Sequence, residues 1–290
     1  MRDLRKQSQA NVKYNNLQLC LQTIIQNEPL SRADIVRITH ISKPTVSNLI
    51  DALIAKKIVY EIGTGKSLGG RKPILLKFNS EKKLLLAFEM GRSGYRIALS
   101  DLKGKILKKA DDEFENEKDA RSRSLTIKNA LLKFLQEADV NRKSLLKVIC
   151  IAPGIYPGRK KEPTMAYGYK GLTENDVKEY FYDVFKQEVV LNHSTKLSLL
   201  GEKMAGKAKG YRTVVYFDFA YGLACALMID GNIYYGHDNS SGEIGYFYSS
   251  LEEFNTNKIR PYDFGMLESK ISGKAIQEIA LKEVKRNKSS

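Results

Sequence analysis

Thirteen residues, Ser42 to Ile54 (SKPTVSNLIDALI), constrain this chain more than any other stretch. Val46, Leu49, Ile50, Leu53 and Ile54 recur at the spacing of one helical face. Ser42 stands where a cap belongs, and Pro44 lies in the first turn, where its missing N–H costs nothing. The other face offers Lys43, Thr45, Ser47 and Asn48, short or flexible donors and acceptors without bulk. Such a face can enter a major groove and meet phosphates and base edges. Alone, the pattern more often describes an amphipathic core helix; its neighbours reverse that preference.

Upstream, Leu17, Leu21, Ile24 and Ile25 share one face of a helix over residues 11–27, which Pro29 ends. Ser31-Arg-Ala-Asp34 is a capping box, and Ala33, Ile35, Val36 and Ile38 follow on a second short helix. Thr39-His40-Ile41 is the turn into the third helix, and His40, with no partner at metal spacing, reads as a turn residue. Two short helices with a tight turn, the second polar at its start, form the helix-turn-helix pattern. Ile58–Ile62 and Pro73–Phe78 read as strands, and between them GTGKSLGGRK (63–72) carries Lys66, Arg71 and Lys72. That loop lacks the Walker spacing and no helix follows it. It reads as a wing whose glycines let the tip follow a minor groove, with Arg71 inserting there. Residues 1–77 hold thirteen Lys/Arg against five Asp/Glu, a balance that favours a polyanionic partner.

After Asn79 the pattern becomes α/β. Leu84–Met90 and Tyr95–Leu99 are strands around the turn Gly91-Arg-Ser-Gly94, and Asp101-Leu-Lys-Gly104 turns into a third strand at Ile106. The device returns at Val214–Phe219, Leu223–Ile229 and Ile233–Tyr235, a weak repeat that marks a duplicated domain with a cleft between its halves. Between the copies the pattern predicts helices over Ser124–Ala138, Thr173–Gln187 and Thr195–Lys207, with strands at Val148–Ala152 and Val189–Leu191. No apolar run approaches the roughly 18 residues that cross a bilayer, and no signal segment opens the chain. Cys20, Cys150 and Cys225 are odd in number and far apart, as expected of buried thiols in a reducing cytoplasm.

Leu30-Ser-Arg-Ala-Asp34, Ile41-Ser-Lys-Pro-Thr-Val-Ser47 and Ser67-Leu-Gly-Gly-Arg-Lys-Pro73 resemble the DNA-binding domain of ROK repressors (repressors, uncharacterised reading frames and sugar kinases). The later layout resembles the family's actin-like sugar-kinase fold as far as about residue 276. The fold class implied is α/β: a winged helix-turn-helix over 1–78, then a duplicated, ribonuclease H-like ROK domain. Its first lobe is expected over 79–190 and a C-terminally short second lobe over 191–290. Ser272–Val284 is expected as a late helix with Ile276, Ile279, Ala280 and Val284 on one face. Either the second lobe is minimal or the sequence is a truncated product; a truncated lobe would leave apolar surface, which favours self-association.

The resemblance is most informative where it fails. ROK kinases use the Asp of a Glu-Asn-Asp motif as the base for the sugar hydroxyl; this chain reads Asn192-His193-Ser194. A serine hydroxyl cannot take that proton without a base of its own. The family's Gly-Thr-Gly-x-Gly-x-Gly phosphate loop is here Ala220-Tyr-Gly-Leu-Ala-Cys-Ala226, and in the first loop Glu89 replaces Asp. Gly242-Glu-Ile-Gly245 is followed by Tyr246 instead of the zinc-binding His, and the family's Cys run by Pro261-Tyr-Asp-Phe-Gly-Met266. No catalytic residue, nucleotide, zinc or other cofactor is therefore expected. His193, Glu243 and Glu268 remain candidates for holding a sugar or sugar phosphate, while Glu243 and Glu268 could equally be caps or ion-pair partners. The resemblance implies a homodimeric or larger cytoplasmic repressor of carbohydrate-use genes that binds double-stranded DNA. Its contacts would be Lys43, Thr45, Ser47, Asn48, Lys66, Arg71 and Lys72. A kinase with residual ATP-dependent phosphotransfer, and a DNA-binding dimer that answers to no ligand, are the alternatives.

Overall fold

The computed structural model describes residues 2–65, 72–115, 119–152, 154–155, 164–165, 169, 172–237, 239–256 and 265–288. The chain divides into two compact units, Met1–Leu84 with Ser100–Lys105, and Leu85–Leu99 with Ile106–Ser290.

The first unit runs α1 (Arg2–Asn27), β1 (Leu30–Ser31), α2 (Arg32–Thr39), α3 (Lys43–Ala55), β2 (Val59–Thr64) and β3 (Ile74–Phe78). Its core gathers Cys20 and Ile24 of α1, Ile35 of α2, Val46, Leu49, Ile50 and Leu53 of α3, and Leu76 of β3. Each such aliphatic side chain contributes about 1.5–3 kcal/mol on burial, so the apolar face of α3 is the chief anchor of the unit. Leu17, Leu21 and Ile24 face inward as expected, but Ile25 points outward and Cys20 takes the remaining inward place. Ile38 is likewise exposed. The Ser31–Asp34 capping box is present, and His40 closes α2 in the left-handed region (φ 57°). Ser42 departs from expectation: it precedes α3, yet its side chain caps nothing, its Oγ lying 2.8 Å from Thr45 Oγ1. The two-residue β1 had no sequence signal. It pairs antiparallel with β3, which pairs in turn with β2, giving the order β1-β3-β2.

The Glu28 side chain, 9% exposed, accepts from the Phe78 N–H (2.7 Å) and from Lys103 Nζ. Leu102 packs on the same core, and its N–H bonds the Ser80 carbonyl (3.0 Å). Residues 100–105 thus belong physically to the first unit, although the strands they join do not.

The second unit begins with β4 (Leu84–Met90), β5 (Gly94–Asp101), β6 (Ile106–Glu113), α4 (Ala120–Glu137) and β7 (Leu145–Ile151). The short strands β8 (Gly154–Ile155) and β9 (Thr164–Met165) follow, then α5 (Glu174–Phe185) and β10 (Val189–Asn192). The larger sheet has the order β10-β7-β4-β5-β6, with β10 parallel to β7. Phe88 of β4 meets Phe181 and Phe185 of α5, at 4.7 and 6.0 Å between ring centroids. The chain continues through α6 (Ser194–Ala205), β11 (Val214–Phe219), β12 (Leu223–Ile229), β13 (Asn232–Tyr234), α7 (Leu251–Thr256), α8 (Glu268–Ile271) and α9 (Gly273–Lys288). The second sheet, β11-β12-β13, buries Ala226 and Met228 against Leu199 of α6. The strand-turn-strand-strand repeat read from sequence is therefore present. Helix α4 starts four residues earlier than expected because Asp119 caps it, accepting from the Arg121 and Ser122 N–H groups.

The outer face of β11 carries Val215, Phe217 and Phe219, all more than half exposed. The apolar stripe of α9 (Ile276, Ile279, Val284) is exposed as well. No helix among the described residues is long and apolar enough to cross a membrane.

Replacing Glu28 with alanine strands the Phe78 N–H in a buried setting. Urea unfolding is expected to show a loss of about 1–3 kcal/mol in the first unit. Lys103→Ala removes only a partly screened pair and should cost under about 1 kcal/mol.

Candidate functional site

Two surfaces carry the candidate chemistry. On the first unit, α3 turns Lys43 and Asn48 to solvent, with Thr45 and Ser47 half-buried between them. Pro44 fills the first turn, as expected. The buried Val46, Leu49, Ile50 and Leu53 fix the helix so that this polar face is outward. Thr45 is engaged with Ser42, which orients its hydroxyl. Arg32 sets α2 against α3: its Nη2 lies 2.7 Å from Asp51 Oδ1 and 3.5 Å from Glu61 Oε1 of β2. Lys72 is exposed just before β3, whereas Lys66 and Arg71 lie outside the described residues. The wing strands themselves are in place, with a register shift between Glu61 and Gly63 where Gly63 takes φ 120°.

On the second unit, the turns β4–β5 and β11–β12 are joined by a stack: the Arg92 guanidinium lies 3.5 Å from the centroid of the Tyr221 ring. Lys274 Nζ lies 6.0 Å from the same ring. A phosphate cradle needs free backbone N–H groups. Here the Leu223 N–H is bonded to Glu268 Oε1 (2.9 Å) and the Cys225 N–H to the Gly242 carbonyl (2.8 Å). Ala224 is paired in register with Asp218 of β11. Gly242 permits this close approach, since a Cβ there would sit 1.9 Å from the Cys225 carbonyl oxygen. Ser194 opens α6 with no carboxylate of its own to offer. The Leu223 and Cys225 backbone donors are therefore already taken within the segment itself.

Glu268 is 7% exposed, and its second oxygen accepts from the Gly265 N–H (3.3 Å). With both oxygens on backbone donors it acts as a brace, the cap-like alternative of the sequence reading. The other two candidates do converge: His193 Nε2 lies 3.8 Å from Glu243 Oε1. Burial, then the nearby Lys196, holds the His193 imidazole down to about 4, so it is neutral at physiological pH. Its Nδ1 is buried without a hydrogen-bond partner. Burial raises Glu243. Lys196, absent from the sequence reading, lies beside them, 3% exposed on α6. Its signal was its place three residues before Leu199, on the buried side of the helix.

Tyr246 offers a phenol in place of an imidazole, and positions 257–264 lie outside the described residues but contain no Cys or His. Cys20, Cys150 and Cys225 are buried free thiols on separate elements.

The ROK family profile matches residues 85–289, about seven-tenths of the chain. The chain belongs to the ROK family. A MarR family profile matches residues 19–66, the helix-turn-helix and the start of the wing. The xylose repressor of Bacillus spizizenii is 27% identical over 268 residues, covering 92% of this chain and 68% of the repressor. The Escherichia coli K12 DNA-binding transcriptional dual regulator NagC is 23% identical over 280 residues, covering 95% of this chain and 66% of NagC. Among solved structures, a ROK family transcriptional regulator homologous to E. coli MLC superposes with a TM-score of 0.73 at 19% identity, covering 95% of this chain and 68% of that one. A ROK family glucokinase from Streptomyces griseus, solved with glucose and AMPPNP, aligns at a TM-score of 0.57 and 17% identity, over 71% of this chain and 62% of its own. The fold is thus a winged helix-turn-helix followed by the ROK domain.

His193 sets a pH signature. Its folded pKa of about 4 lies below the ordinary 6.5, so the unfolded chain takes up the proton first as pH falls. Stability from this group is full above pH 6.5 and lost toward pH 4. Chemical denaturation should show His193→Gln losing less stability than the parent across that window, by up to roughly 1.4 kcal/mol per pH unit.

Proposed function

We propose that this protein is a transcriptional regulator of carbohydrate-use genes, a repressor that binds operator DNA through α3 and the wing and answers to a sugar held in the ROK domain. The carrying observation is the division of α3 into a buried apolar face and an outward Lys43–Thr45–Ser47–Asn48 face. Lys43 is placed for phosphates and Asn48 for a base edge, Asn being suited to adenine N6 and N7. Lys66, Arg71 and Lys72 would serve the adjoining minor groove. The names of the relatives, xylose repressor and NagC, support the carbohydrate reading.

The ROK domain acts in this reading by binding, without phosphoryl transfer. Serine at the base position, backbone donors already taken, and Arg92 on Tyr221 all support a domain that has given up ATP. Two copies would present their α3 helices to half-sites in successive major grooves. Occupation of the sugar site would weaken DNA binding by favouring a different arrangement of the heads, which requires differential affinity for the two states. The exposed Val215, Phe217 and Phe219 supply an apolar surface for self-association.

Selection from a random duplex library with the full chain should return a palindromic site, and failure to enrich any duplex would remove the regulator reading. On that site Asn48→Ala is expected to cost about 1–3 kcal/mol and to relax preference at one base pair. Lys43→Ala should weaken binding evenly across sequences and lower the salt slope by about 1. Sugar-dependent ATP turnover by the full chain would restore the kinase reading. Light scattering of the double variant Phe217→Glu/Phe219→Glu should show monomer where the parent is dimeric; unchanged mass would place the self-association surface elsewhere.

A further inference from the structure

Arg32 stands where a cation is disfavoured. It opens α2, at the positive end of the helix dipole, and its Nε is buried with no hydrogen-bond partner among the described residues. Asp34, the acid of the same turn, is engaged elsewhere: it accepts from Ser31 and pairs with Arg37 (2.8 Å). The Arg32 guanidinium reaches across instead to Asp51 of α3 (2.7 Å) and Glu61 of β2 (3.5 Å). Both acids are exposed, and exposed pairs of this kind add little to stability. The place of Asp51 on its helix gives the pair another meaning. Asp51 lies four residues past Ser47 and three past Asn48, so it shares their outward face of α3. A carboxylate there would stand against the phosphates of any duplex laid on that face, and like charges set together across an interface are costly.

We infer that Arg32 is a positioning residue for DNA binding: it masks Asp51, holding that carboxylate off the phosphates, while its reach to Glu61 keeps the first wing strand beside α3. The inference rests on the DNA-binding reading and goes beyond it, naming a residue outside α3 and the wing on which the interface depends. Arginine suits the task because its planar fork can serve two carboxylates at once, whereas lysine offers a single point charge. A direct contact from Arg32 to a phosphate is the competing role, and the two differ in what removal of the Asp51 charge does.

The test measures binding of the full chain to the duplex selected from the random library, and to a random-sequence duplex of equal length, across a salt series. Arg32→Ala should lose about tenfold in affinity on both duplexes, since it leaves a like charge facing the phosphates. The double variant Arg32→Ala/Asp51→Asn should regain the affinity and salt slope of the parent. Arg32→Lys should fall between the parent and Arg32→Ala. Asp51→Asn alone should bind both duplexes at least as tightly as the parent, and it carries the test if Arg32→Ala does not fold. A double variant as weak as Arg32→Ala, with a salt slope lower by about 0.9, makes Arg32 a phosphate contact and overturns the masking role. An Arg32→Ala variant that binds like the parent, or an Asp51→Asn variant that binds more weakly than the parent, overturns it as well. Each of these results leaves the DNA-binding reading standing, whereas a parent that binds neither duplex overturns both.

Discussion

A guanidinium set over a phenol ring joins two turns of this ROK domain. Arg92 and Tyr221 come from turns at the ends of different sheets, and their 3.5 Å stack draws those turns together. Cation–π contacts of this kind contribute roughly 0.5–2 kcal/mol according to solvent exposure. The stack is reinforced from behind, since the Ala220 and Tyr221 carbonyls accept from the Gly273 and Lys274 N–H groups at the start of α9. The β11–β12 turn is therefore bonded on one side and stacked on the other. A loop that must wrap a phosphate has neither constraint, because its backbone donors have to face the ligand.

The same economy separates the carboxylates of the domain. Glu268 spends both oxygens on backbone donors and so shapes the start of β12. Glu243 has a different neighbour, its Oε1 lying 3.8 Å from His193 Nε2. What already donates to a carboxylate separates these two, which residue type alone cannot show.

Much of the fold was legible because the signals are local. The Ser31–Asp34 box, the 3.6-residue stripe of α3 and the inward Val177, Phe181, Val184 and Phe185 of α5 all follow from periodicity and capping, and all are seen. The missed features are those decided at a distance. β1 exists only because Leu30 and Ser31 meet Leu76 and Leu75 of β3. Ser42 looked like a cap, but Thr45, one turn on, competes for its hydroxyl. In the second unit, His193 and Glu243 stood out as candidates from motif positions, while Lys196 and the Arg92–Tyr221 stack did not. The first needs knowledge of which side of α6 is buried, and the second joins residues far apart along the chain.

The turn at residues 100–105 gives the recognition head an unusual tie to its host. The head is not a bead on a single string, since the chain passes between the two units at residues 84–85, 99–100 and 105–106. Leu102, in the turn between β5 and β6, packs on the head's core. Transplanting the head onto another effector domain by splicing at one junction would leave that hydrophobic notch empty and Glu28 facing no ammonium. In this chain, the head is intact only when residues 100–105 go with it.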